Sequence, residues 1–149
     1  MGDNDTLSAL VAGLIDADLL VILSDIDGLY DKNPSEHADA KLLSFIEKID
    51  EHVVKMAGGE GSKFGTGGMA TKIAAAQMAN QIGTSLIIAN GRTDGILLKI
   101  AAGDEVGTLF SAGAARLSSR KYWLAYGAIS KGAVIIDAGA AEAIKLGKS

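Results

Sequence analysis

Near the start of the chain Leu7, Leu10, Val11, Leu14 and Ile15 fall at helical spacing, which predicts an amphipathic helix over 6–15. Asp3, Asn4, Asp5 and Thr6 stand ahead of it, and each is a residue type that caps a helix by accepting from its first N–H groups. Capping explains one such residue well and three poorly. The run 19–23, Leu-Leu-Val-Ile-Leu, is unbroken and apolar. That is the pattern of a strand buried on both faces, and hence of a parallel sheet between helices. It stops at Ser24, Asp25, Ile26, Asp27 and Gly28, a polar loop at the carboxyl end of the strand, where open α/β sheets bind their ligands.

Residues 31–41 read as a polar surface loop holding the single Pro. A helix is expected at 47–56, with Ile49, Val53 and Met56 on one side. A Gly-rich stretch over 58–68 then runs into a helix at 69–83, with Ile73, Ala76, Met78 and Ile82 as its apolar contacts and Gly83 at the position after its end. A second buried strand is expected at 85–90, a helix at 94–102 and a short strand at 107–110. Helices alternating with buried strands indicate a layered α/β sheet. Beyond Ser111 the pattern changes. Residues 112–131 read as a linker with Trp123 as its aromatic anchor, 133–137 as a new strand and 138–146 as an Ala-rich helix. So short a tail cannot build its own core, so 132–149 is expected to open a second, truncated domain after a first domain over 1–111.

Composition narrows the function. Gly fills 19 of 149 positions, well above the usual ~7%, with no collagen-like period. Cys is absent, which excludes a disulfide framework and thiolate zinc sites, and His37 and His52 lack metal-motif spacing. A net charge of −4 argues against a general nucleic-acid binder. The longest apolar runs fall far short of the ~20 residues of a membrane span, and an acidic N-terminus is not a signal peptide. A cytoplasmic protein is expected.

The strongest chemical feature is the Gly-rich loop feeding the 69–83 helix. A helix N-terminus offers N–H groups and the positive end of its dipole, and Gly lets backbone close around phosphate oxygens. Thr66 and Thr71 add hydroxyls, and Lys72 adds a point charge in the first turn. A bare mobile loop would need none of these. No Walker A spacing occurs. The relaxed dinucleotide pattern over 65–70 lacks both the strand directly before it and the acid ~20 residues after it. Ser24 and Asp25 suit a ribose or adenine edge, or a metal, against the alternative that Asp25 and Asp27 simply form a polar turn. The basic and aromatic residues of 116–126 read as a packed linker in preference to an RNA surface.

Four motifs then stand in order and register: Gly-Asp-Asn-Asp-Thr-Leu-Ser-Ala over 2–9, Ser-Asp-Ile-Asp-Gly-Leu-Tyr-Asp over 24–31, Gly-Thr-Gly-Gly-Met-Ala-Thr-Lys over 65–72 and Val-Gly-Thr-Leu-Phe over 106–110. Together they resemble the glutamate 5-kinase family, a branch of the amino acid kinases, and the tail is similar to the linker and first strand of the PUA domain that many members carry. The resemblance implies a three-layer αβα sandwich of amino acid kinase type, here partial. The implied reaction moves the ATP γ-phosphoryl, with Mg²⁺, to the 5-carboxylate of L-glutamate, giving glutamyl 5-phosphate at the start of proline biosynthesis. By that resemblance Asn4 contacts glutamate, and Asp5 orients catalytic lysines. Ser24 and Asp25 contact the nucleotide, as do Thr66, Gly67, Gly68, Met69, Ala70, Thr71 and Lys72, with Ala70 where Ser is common. Lys72 neutralises charge during transfer, and a homo-oligomer is implied. The opening strand of the family, with a further catalytic Lys and a Gly-Ser loop, has no counterpart here, so the chain reads as a nucleotide half inactive alone. A non-catalytic nucleotide-binding module, or an aspartate- or uridylate-kinase relative, are the alternatives.

Overall fold

Two helix–strand units built on one local plan stand side by side. A computed structural model describes residues 4–58, 68–113, 132 and 135–146. In the first unit α1 (Asn4–Leu14) leads through a short turn into β1 (Leu19–Ser24). In the second α3 (Met69–Gln81) leads into β3 (Ser85–Asn90). Both helices close the same way. The Ala17 N–H donates back to the Ala12 carbonyl at 2.9 Å and the Thr84 N–H to Ala79 at 3.0 Å, each across a residue with positive φ. That left-handed residue is Gly83 (φ 76°) after α3, as expected from the sequence, but Asp16 (φ 58°) after α1. The two turns are tied together, since the Thr84 hydroxyl donates to the Ala17 carbonyl at 2.6 Å and the Ser85 N–H to Asp18 at 3.0 Å.

Between the units lie β2 (Phe45–Ile46) and α2 (Glu51–Met56); after them come α4 (Ile96–Ala102), β4 (Thr108–Phe110) and α5 (Ala138–Lys145). The strands form one sheet in the order β1-β3-β4-β2. β1 and β3 are parallel, with Leu19 opposite Ser85 and Ser24 opposite Asn90. β4 runs antiparallel to β3, pairing Phe110 with Leu86, and β2 is parallel to β4. The sheet is therefore mixed, not the parallel sheet that the apolar runs suggested. Period-2 and all-apolar patterns report burial and carry no information on strand direction.

One face of the sheet is packed. Ile22, Leu86, Ile88, Phe110 and Ile46 meet Ala9 of α1, Val53 of α2 and Ile73, Ala75, Ala76 and Ala79 of α3 in a single core. The alanines let α1 and α3 approach each other and the strands closely. On the opposite face Leu19, Phe45, Ile87 and Leu109 border an open groove shared with Ile100 of α4. β3 is buried as expected, whereas β1 is not buried on both faces. It occupies an end of the sheet, and Leu19 and Leu23 are exposed.

Other boundaries shift for local reasons. The helix expected at 47–56 begins at Glu51, because the Asp50 carboxylate caps it by accepting from the His52 and Val53 N–H groups, each at 3.0 Å. The two-residue β2 is too short to show a pattern. In the tail α5 forms as expected, but Ile135, Ile136 and Asp137 are not in a strand. Asp137 instead caps α5 by accepting from the Ala140 N–H at 2.8 Å, and Ile135 is 98% exposed. Residues 133–134, most of the expected linker with Trp123, and the Gly-rich stretch over 59–67 lie outside the described residues.

Candidate functional site

Chain direction gathers the motifs at one end of the sheet. α1 and α3 each join their strand by a tight turn, so each helix runs back against the strand that follows it. An eleven-residue helix and a six-residue strand are both about 16–20 Å long. The N-termini of α1 and α3 therefore lie beside the carboxyl ends of β1 and β3. Asn4, Asp5, Ser24, Asp25, Gly68, Met69, Ala70, Thr71, Lys72 and Asn90 all belong to this one edge.

The first-turn residues of the two helices are bonded to each other. Lys72 Nζ donates to Asp5 Oδ2 at 3.1 Å, and Thr71 Oγ1 donates to the same oxygen at 3.0 Å. The Thr71 hydroxyl also lies 2.7 Å from the Gly68 carbonyl. From the sequence, Lys72 is expected to reach phosphate oxygens, so that replacing it by Met would leave folding nearly unchanged. Lys72 is instead only 6% exposed, its ammonium held between two helices. Asp5 lies within the first turn of α1 and not ahead of the helix, and it accepts from the lysine.

Gly68 is the N-cap of α3, supplies no side-chain cap, and is followed by a first turn with no acidic residue. The turn contributes no carboxylate of its own at the positive end of the dipole, equivalent to about half a charge, and the acid bonded to its side chains is Asp5 of α1. Met69 packs its side chain on the core, Ala70 is exposed and Thr71 half-buried. Asn4 is exposed in the first turn of α1. Thr66 and Gly67 lie outside the described residues.

At the strand ends the Ser24 hydroxyl donates to Asp25 Oδ1 at 3.2 Å, and the Gly91 N–H donates to the Ser24 carbonyl at 2.8 Å. Asp27 does not form a simple turn bond. Its two carboxylate oxygens accept from Asn90 Nδ2 at 2.9 Å and from the Tyr30 hydroxyl at 3.0 Å. The hydrogen bond it donates to Asp27, then burial and the carboxylate's charge, raise the Tyr30 phenol above its ordinary pKa. Asn90 and Tyr30 are residues that sequence reasoning missed. Asn90 stands sixty-three positions from Asp27, and no local pattern announces such a pair.

The fourth motif is structural. The buried Thr108 hydroxyl accepts from the Leu29 N–H at 2.8 Å and donates to the Leu43 carbonyl at 2.6 Å. It thereby ties both feet of the 29–43 excursion to β4. Gly107 has φ 73°, and a Cβ there would come within 2.2 Å of the Ile88 carbonyl oxygen, so this turn requires glycine.

Paired helix N-termini over the ends of parallel strands define an α/β protein with an edge suited to anionic ligands. The chain belongs to the amino acid kinase family, whose model matches residues 1–90. It is 51% identical over 150 residues to the glutamate 5-kinase of Caldanaerobacter subterraneus subsp. tengcongensis, covering all of this chain and 40% of that protein. It is 49% identical over 144 residues to the glutamate 5-kinase of Pasteurella multocida, covering 97% of this chain and 39% of the relative. The chain thus spans about 40% of the length of these curated relatives. Among solved structures, the UMP kinase of Bacillus anthracis matches with TM-score 0.53 and 21% identity over 74% of this chain and 41% of that one. An isopentenyl phosphate kinase matches with TM-score 0.53 and 24% identity over 72% and 36%. At these identities the structural likeness concerns the fold.

Proposed function

We propose that this chain forms the nucleotide-binding part of a glutamate 5-kinase, transferring the γ-phosphoryl group of ATP to the 5-carboxylate of L-glutamate to open proline biosynthesis in the cytoplasm. The observation that carries the reading is the Asp5–Lys72 pair at 3.1 Å, which joins the Gly-Asp-Asn-Asp motif to the Gly-Thr-Gly-Gly-Met-Ala-Thr-Lys motif. Phosphoryl transfer needs little covalent chemistry from protein. It needs positioning and charge stabilisation. On this reading the N-terminus of α3, with Gly67, Gly68, Thr66 and Thr71, cradles phosphate oxygens through N–H and hydroxyl groups. Lys72, aimed by Asp5, offsets the negative charge that builds on the transferring group. Ser24 and Asp25 hold the nucleoside side, and Asn4 faces the acceptor. Asp5 is already committed to Lys72 and Thr71, and among the described residues no three acidic or imidazole groups form a metal cluster. Mg²⁺ fits this site as a partner of the phosphates, the usual way this ion is held, and it would neutralise charge there.

The reading is tested in two steps. Calorimetric titration of the chain with Mg-ATP is expected to show binding. The segment is then grafted in place of its counterpart in the Caldanaerobacter relative, and glutamate-dependent ADP release is measured. The graft should turn over with L-glutamate, and the isolated chain should not. A graft that folds and binds ATP but accepts aspartate or UMP in place of glutamate would refute the substrate assignment. ATP binding without turnover on any acceptor would favour a non-catalytic nucleotide-binding module.

A further inference from the structure

We propose that Asn90 is a positioning residue for the nucleotide loop of Ser24 and Asp25, acting through Asp27; the inference rests on the nucleotide reading above. The loop leaves β1 fixed at one point, where the Ser24 carbonyl accepts from the Gly91 N–H at 2.8 Å. It is fixed again where the Leu29 N–H meets the Thr108 hydroxyl at 2.8 Å. The arc between these points carries the residues that would meet the nucleotide. Asn90, at the end of the neighbouring strand, reaches across to it, donating from Nδ2 to Asp27 Oδ1 at 2.9 Å. Its amide cannot be turned over without loss, because its Oδ1 accepts from the Arg92 N–H at 3.0 Å. The second oxygen of Asp27 is taken by the Tyr30 hydroxyl at 3.0 Å.

The latch has two effects on a polyphosphate ligand. It holds the arc against β3, so that Ser24 and Asp25 are set before the nucleotide arrives and less ordering is left to binding. It also occupies both oxygens of an exposed carboxylate at the binding edge, turning its charge toward Asn90 and Tyr30 and away from incoming phosphate oxygens. Neither effect touches the Asp5–Lys72 pair, so the latch governs nucleotide affinity and not the chemical step.

The test titrates Mg-ATP into the wild-type chain and into N90A, D27A, the D27A/N90A double variant and the swap D27N/N90D, with a thermal melt of each. Both single variants should weaken binding about three- to tenfold, in the range of the net contribution of one hydrogen bond, while melting close to wild type. The double variant should be no weaker than the weaker single variant. The swap rebuilds the contact with donor and acceptor exchanged, since a carboxylate at position 90 still accepts from the Arg92 N–H, and it should return affinity to within about twofold. Affinity unchanged in N90A, fully additive losses in the double variant, or no rescue by the swap would each overturn the proposal while leaving the nucleotide reading intact. A wild-type chain that binds no Mg-ATP would remove the nucleotide reading itself, and the latch with it.

Discussion

Lys72 shows how much one side chain's surroundings change its meaning. As a lysine one turn into a helix behind a Gly-rich loop, it could be read from the sequence as a phosphate ligand, and its spacing to the glycines made that legible. That Asp5 orients catalytic lysines was expected from the family resemblance alone; residue spacing by itself does not show that the ammonium is buried against an aspartate sixty-seven residues away. Such a long-range pair leaves no local signature. The expected outcome of Lys72→Met changes accordingly. Removing the charge takes the ammonium partner from a largely buried carboxylate, so stability should fall by about 1–3 kcal/mol, the cost of disrupting a charged buried hydrogen bond. In the grafted enzyme turnover should fall by orders of magnitude and ATP affinity by much less, because the lost charge acts chiefly in the transition state. Urea denaturation and steady-state kinetics on the same preparation check both halves. A stable variant with turnover within about threefold of wild type, less than the 1.4 kcal/mol of a tenfold change, would show that Lys72 does neither job.

At the scale of elements, helix ends set the boundaries. α1 and α3 end in the same turn, yet Gly83 made the second end readable while Asp16 hid the first, because a non-glycine residue at positive φ is not announced by its type. The two positions should respond oppositely. Gly83→Ala places a Cβ in a left-handed conformation and should cost about 1–3 kcal/mol, whereas Asp16→Gly relieves the same strain and should be neutral or stabilising by up to about 1 kcal/mol. Chemical denaturation of the two variants decides it. The start of α2 gives a pH test. Backbone bonds, that from Val53 foremost, hold the Asp50 carboxylate below its ordinary pKa. A depressed pKa in the folded state stabilises above the ordinary carboxylate pKa, and the contribution is lost as pH falls through the lower folded value. The melting temperature of wild type should therefore exceed that of Asp50→Asn near neutrality, and the gap should close in strong acid. A gap independent of pH would place the cap's contribution elsewhere. β2 and the direction of β4 were beyond sequence reading for a plainer reason. Two residues make no period, and strand polarity is fixed by connections and packing across the whole sheet.

For the whole molecule the question is what the uncovered surface does. Leu7, Val11 and Leu14 of α1, Ile15 in the turn after it, and Leu19 and Leu23 of β1 are exposed large apolar side chains, and among the described residues β1 pairs along one edge. An apolar helix face beside an unpaired strand edge favours association. The 149-residue chain should sediment as a dimer or larger species at micromolar concentration, and Val11→Glu, which puts a charge on that face without entering the core, should shift it toward monomer. A wild-type chain that stays monomeric would mean that this face is tolerated in water. The amphipathic pattern of α1 was legible in the sequence. That four of the five apolar residues expected on that face are left facing solvent, with only Leu10 buried, was not, because periodicity marks a face as apolar without saying what meets it.

The reversal of β4 also fixes where the polypeptide leaves the sheet. Phe110 lies opposite Leu86, near the start of β3, and the Ala112 N–H donates to the Ser85 hydroxyl at 3.2 Å. The chain therefore exits about one strand length, roughly 20 Å, from the edge where the helix N-termini gather. Because the sequence contains no cysteine, Ala112→Cys would create a single attachment point for a dye at that far pole. Paired with a fluorescent ATP analogue, it turns the length of the sheet into a spectroscopic ruler. Energy transfer should report the same separation whichever nucleotide is bound, and a change between ATP and ADP analogues would reveal bending of the sheet itself.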